Sequence, residues 1–209
     1  MGNNMFAYCE NNPVNAADHT GHMSSNLFSY TCFNGGGSPP YITDQDNQAI
    51  AHKRFGLTTV SHGGCGPIAT YNALISLGNP KRFKDVLDYY NQHILQLNVA
   101  GFAGTPTDLV AQYFTDAGYN VIVARGSALV DALSKHADAC ILWTLFPATY
   151  HPLGFDVRAV GAHFVEYSKT SGGYTGRNIG RSGTYSFATP SDYACMEPNM
   201  YSIGIFIYK

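Results

Sequence analysis

A chain of 209 residues with 45% hydrophobic content carries enough apolar surface for one full core, either alone or with an extension. A net charge of −2 with only 12% charged residues excludes the basic footprint of a nucleic-acid binder. No apolar run approaches the about 20 residues of a membrane span, and the opening residues show no signal-peptide pattern.

Residues 1 to about 50 are rich in Asn, Gly, Ser and Pro, with a breaker cluster at Gly35-Gly36-Gly37-Ser38-Pro39-Pro40. They are expected to form a loop-rich extension, either a propeptide or a wrap, pinned by Phe6, Tyr8, Phe28, Tyr30 and Phe33. Residues 51–209 are expected to form the domain proper. Ser61-His62-Gly63-Gly64-Cys65-Gly66-Pro67 leads into a helix whose stripe is Ile68, Ala69, Leu74, Ile75 and Leu77, ended by Gly78 and Pro80. Phe83, Val86, Leu87, Tyr90, Ile94 and Leu97 repeat at helical spacing. Thr105 as N-cap, Pro106 and Asp108 open a third helix, which Gly118 closes.

Tyr119–Ala124 reads as a strand, Ser127–His136 as a short helix and Ala139–Phe146 as a buried strand. Trp143 through Tyr150 to Phe155 reads as an aromatic loop, with Tyr150 a candidate for a pocket wall. A hairpin follows, in which Gly161–Ser168 and Tyr174–Ile179 flank Ser171-Gly172-Gly173. Thr184–Phe187 and Tyr201–Tyr208 complete an antiparallel sheet. Helices first and strands later make an α+β domain.

Cys65 is the candidate nucleophile. A thiolate attacks carbonyl carbon, and the unpaired N–H groups of a helix start lower a thiol pKa. Gly63 and Gly64 leave the main chain open to substrate. The alternative is that Cys65 is a small buried hydrophobe. With Gly172 and Gly173 as the central turn residues, His163 and Asn178 project from one hairpin face as diagonal neighbours. Asn178 would accept the imidazole N–H and set the tautomer that faces the thiol. Glu166, three residues from His163, falls on the opposite face.

Five cysteines leave one unpaired after any two disulfides, which suits Cys65 as a reactive thiol. Cys9 and Cys32 could pair, Cys140 reads as a buried strand residue, and Cys195 lies in a loop. No close Cys spacing suggests zinc, and no cofactor is called for. Low charge with 15 Tyr and 22 Gly suits an exported or surface-associated bacterial protein. Oligomeric state is not legible.

Gly64-Cys65-Gly66-Pro67 and Ala162-His163-Phe164-Val165, with Asn178 downstream, resemble the papain-like cysteine peptidases, most closely the bacteriocin-processing (double-glycine) branch. Gly104–Leu109 through Tyr113-Phe114 to Gly118–Val121 is similar to the segment between Cys and His in that branch. The resemblance covers roughly residues 56 to 208. It implies a papain-like fold and a thiol peptidase acting on a peptide or protein, with Cys65 as nucleophile, His163 as base then acid, and Asn178 as orienting group. Gly63, Gly64 and Ala162 would then flank the substrate. The family places a Gln six residues before the nucleophile, where this chain has Thr59. Thr59, Ser61 or His62 is left to supply the second oxyanion donor beside the Cys65 N–H. Losing one such donor typically costs about 10²–10³ in rate. Two other readings are a papain-fold acyltransferase of transglutaminase type, and a catalytically weak papain-like module used for binding.

Overall fold

The computed structural model describes residues 40–97, 101, 104–150, 157–181, 183–195 and 201–209. Cys9, Cys32 and the glycine run at 35–37 lie outside the described residues. In chain order the elements are β1 (Arg54–Phe55), β2 (Thr58–Thr59), α1 (Val60–Gly63), α2 (Cys65–Ser76), α3 (Phe83–Gln92), a 3-10 turn at Ile94–Gln96 and α4 (Thr107–Asp116). They continue with β3 (Asn120–Arg125), α5 (Ser127–Ser134), β4 (Ala139–Tyr150), β5 (Val157–Thr170), β6 (Gly173–Arg177), a 3-10 turn at Ile179–Arg181, β7 (Thr184–Phe187), α6 (Pro190–Ala194) and β8 (Tyr201–Tyr208). The protein is α+β, and its six-stranded antiparallel sheet runs β3-β8-β4-β5-β6-β7.

The period-2 alternation of the strands builds two cores. Ile141, Phe164, Ile205 and Ile207 point to one face, where they meet Ile68 and Leu74 of α2, Phe83 and Tyr90 of α3, and Phe114 of α4. Leu142, Val165, Tyr167 and Phe206 point to the other, against Val130 of α5 and Tyr193 of α6. The spacing in α2 predicts a one-sided stripe, but every residue from Cys65 to Leu74 is buried. The helix lies between the sheet and its helical neighbours, so it is enclosed all round. Its buried polar groups are paired: Thr70 Oγ1 lies 2.6 Å from the Tyr90 hydroxyl, and the Asn72 carboxamide bonds both the N–H and the C=O of Ile42 at 2.9 and 2.8 Å. Gly78 ends α2 at φ 70°: its N–H donates to Ile75 O at 2.9 Å while Asn79 N–H donates to Leu74 O at 3.0 Å, a Schellman closure.

Four sequence expectations change. Residues 40–50, assigned to the extension, are part of the packed domain, since Ile42 and Ile50 are fully buried and Gln45 nearly so. The packed domain therefore begins before residue 51. The aromatic stretch 143–150 is strand rather than loop; long antiparallel pairing with β5, down to Tyr150 against Val157, holds it extended. The hairpin turn consists of Ser171 and Gly172, because Thr170 pairs with Gly173. α4 is capped at Pro106, and buried Thr105 packs instead against Gly66. The sequence also did not reveal α6, opened by a capping box between Thr189 and Asp192.

Candidate active site

Two segments carry the candidate residues: the start of α2, and the open edge of β5, where His163 alternates onto the strand face of Val165 and Tyr167 while Phe164 and Glu166 face α2. In the first, β2 passes through Thr59 and α1 into Cys65, the first residue of α2, which is 7% exposed. A helix start presents N–H groups without intrahelical acceptors, so it is a favourable place for developing negative charge. The glycines around Cys65 are demanded by close packing. A Cβ on Gly63 would lie 2.8 Å from Gly101 O, one on Gly64 2.7 Å from Val60, and one on Gly66 2.4 Å from Thr105 Oγ1. That space is filled by the protein itself, so packing alone is sufficient reason for glycine at 63 and 64. Among the oxyanion candidates, Thr59 is half-buried at the start of α1 and His62 is exposed. Ser61 donates its hydroxyl to Asp46 Oδ1 and its N–H to Ala51 O at 2.9 Å, so both of its donors are committed. Behind the helix, burial chiefly pushes the Tyr90 phenol up, opposed by the Thr70 hydrogen bond; negative charge on Cys65 adds a smaller push in the same direction.

The second arm is the open edge of β5. Strand β6 pairs with β5 only from Glu166 to Thr170, so residues 160–165 have no strand beside them on that side among the described residues. His163 lies in this stretch, opposite Thr144 on β4 and 5% exposed, next to the exposed Ala162. The chain leaves β6 at Arg177 and turns at Asn178, whose φ of 62° is the left-handed conformation that Asn tolerates better than most residues. Its main-chain carbonyl receives His163 Nε2. A carbonyl only accepts, so Nε2 carries a proton, and in the neutral form of the ring the lone pair lies on Nδ1, the nitrogen available to a base.

His163 and Asn178 therefore meet, but through the main chain of Asn178 rather than through its carboxamide. The carboxamide points to a residue that sequence reasoning passed over. Asn178 Nδ2 donates to Gln45 Oε1 at 3.5 Å, and Gln45 Nε2 donates to Ser61 O at 2.9 Å, four residues before Cys65. Asn178 Oδ1 is buried without a hydrogen-bond partner. Nothing local in the sequence marks Gln45, because its role arises from contacts to segments 16 and 133 residues away. Tyr150 ends β4, and the placement of its side chain lies outside the described residues.

Beside the site Glu166, on the face of β5 that meets α2, accepts from Arg177 Nη1 at 2.7 Å and from Ser76 Oγ at 2.6 Å. The Arg177 guanidinium also donates to Ser168 and lies 3.6 Å from the centre of the Tyr41 ring. Among the described residues no group of three or more His, Cys, Asp or Glu could hold a metal ion, and no helix is long and apolar enough to cross a membrane. In comparisons with known proteins, no family model matches this chain and no curated protein matches it.

Proposed function

We propose that this protein is a thiol-dependent peptide or amide hydrolase of papain-like architecture, with Cys65 as nucleophile and His163 as general base and then acid. The reading is supported by a cysteine at a helix start together with a histidine whose Nε2–H is taken by the residue 178 carbonyl, leaving Nδ1 as the basic nitrogen, the two segments being bridged from Ser61 through Gln45 to Asn178. In this scheme His163 takes the thiol proton, the Cys65 sulfur attacks the scissile carbonyl carbon, and the C–N bond breaks as His163 protonates the departing amine. Water deprotonated by His163 then attacks the thioester, releasing the acid and the free thiol. The charge that forms on oxygen faces the first turn of α2. A peptide or protein is the substrate, and exposed Ala162 beside His163 lies on its path. The low charge and the Tyr- and Gly-rich composition favour work outside the cell or at its surface.

The test is labelling by a peptide carrying a thiol-reactive electrophile, with intact-mass and peptide mapping. Cys65 should be modified at neutral pH. Buried Cys140, whose thiol burial pushes up to about 12, should not, and exposed Cys195 should react only at the rate of an ordinary thiol. Cys65→Ala and His163→Ala should both abolish hydrolysis while the fold is retained. Hydrolysis at full rate in His163→Ala would reject the mechanism. A second reading, a papain-like binding module, is favoured by the commitment of both Ser61 donors. It is selected if Cys65 reacts no faster than Cys195.

A further inference from the structure

We infer that Gln45 is a positioning residue of this site, fixing the Asn178 carboxamide against the approach to the nucleophile helix and so setting the surroundings of the His163 imidazole. Its catalytic meaning rests on the proposed hydrolase reading; the coupling itself concerns the Gln45 and Asn178 side chains and the His163 ring held by the Asn178 main-chain carbonyl.

Gln45 is 2% exposed, and a buried primary amide is costly unless both of its ends are paired. One end donates to the Ser61 carbonyl and the other accepts from Asn178 Nδ2. The segment that carries it is held on both sides. Ile42 is clamped at its N–H and C=O by Asn72 of α2, and the Tyr41 hydroxyl lies 3.3 Å from Ser76 Oγ at the end of the same helix. Toward the base arm, the Thr43 carbonyl accepts the Gly183 N–H at 2.7 Å, and the Gly183 carbonyl accepts the Asn178 N–H at 2.9 Å. Gln45 therefore sits on a strap bonded to the nucleophile helix and to the loop that presents Asn178.

The Asn178 carboxamide has Gln45 as the partner of its Nδ2, while its Oδ1 is buried without one. Without the Gln45 acceptor, both ends of the amide would be unpaired in the interior, and nothing would prefer one amide orientation over its flip. In the intact site the Gln45 bond holds the carboxamide in one orientation and, with it, the left-handed turn at 178 whose main-chain carbonyl receives His163 Nε2. Gln45 thus acts on His163 through Asn178 and touches no reacting atom.

The experiment compares the full chain with Gln45→Met, which keeps the side-chain length and removes both polar ends, alone and combined with Asn178→Gly. The first readout is the ring-nitrogen chemical shifts of His163 and the side-chain amide resonance of Asn178; the second is kcat and KM. Gln45→Met is expected to move both sets of resonances and to lower kcat about tenfold with KM little changed, the size found when an outer partner of a functional group is removed. In the Asn178→Gly background the same change should have no further effect on His163. Should Gln45→Met fail to fold, Gln45→Asn retains the polarity, loses the reach and carries the same expectation. Unchanged resonances in Gln45→Met, or an equal effect on His163 with and without the Asn178 side chain, overturn the inference whatever the activity. A wild-type chain with shifted resonances in Gln45→Met but no acylation of Cys65 would keep the coupling and reject the hydrolase reading.

Discussion

At Asn178 two demands coincide. The backbone requires φ 62°, and the carboxamide bonds Gln45, while the contact to His163 uses an oxygen that every residue possesses. These demands separate on substitution. Asn178→Gly retains the turn and the main-chain acceptor, whereas Asn178→Ala places a Cβ in a conformation costing roughly 1–2 kcal/mol. Urea denaturation should find the Ala variant less stable than the Gly variant by about 1 kcal/mol, with both losing the carboxamide contribution to turnover. Equal stabilities would mean that the turn at 178 relaxes and does not select Asn. Cys65 is similarly over-determined, because burial among α2 neighbours and reactivity at a helix start both favour cysteine.

Among the elements, α2 is central because it contacts the sheet along its length and supplies Cys65 at one end and Ser76 at the other. Ser76 joins the buried pair of Glu166 and Arg177, whose side chains are 0% and 12% exposed. Burial holds the Glu166 carboxyl above the usual carboxylate range, opposed by Arg177 and the Ser76 hydrogen bond. Removing one member leaves the other charge in the interior, at a cost of about 3–5 kcal/mol. Glu166→Ala should therefore lower the unfolding free energy by that amount and loosen the β6 end from which Asn178 turns. A loss under about 1 kcal/mol, the range of surface pairs, would show that water reaches Arg177 in the variant.

Across the whole molecule, the two cores on opposite sheet faces bury several phenols and the thiols of Cys65 and Cys140, and this gives the stability a direction in pH. Burial pushes Tyr113 and Cys140 each up to about 12 and pushes Tyr90 and Tyr167 higher still. In the unfolded chain such groups ionise near about 10 for Tyr and 8.5 for Cys. A folded pKa above the unfolded one means that the folded state holds its proton longer. Its contribution is fully present below the unfolded pKa and is lost as pH rises through the folded value. The melting temperature should thus fall steadily from about pH 9 to pH 12, most steeply above 10, as followed by circular dichroism. A flat profile over that interval would mean that the phenols ionise inside the fold at ordinary values.

The sequence by itself determined the elements that local chemistry dictates. Helical periodicity and the Gly78 and Gly118 stops set α2, α3 and α4, and alternation set the late strands, whereas the parity argument for His163 and Asn178 does not reach Asn178, which leaves β6 in a left-handed turn. Cys65 at a helix start was legible because glycine, cysteine and proline each carry a local backbone meaning. What only the tertiary structure decided depends on residues far apart in the chain. Burial of α2 on all sides follows from the layers packed around it, and no single-helix pattern encodes that. Extension of β4 to Tyr150 follows from pairing with β5, which overrode the loop composition of the stretch. Inclusion of residues 40–50 in the packed domain, and the bridge from Ser61 through Gln45 to Asn178, depend on hydrogen bonds spanning up to 133 residues. Such bonds form because a buried amide must find partners wherever the fold brings them, and sequence spacing carries no record of that search.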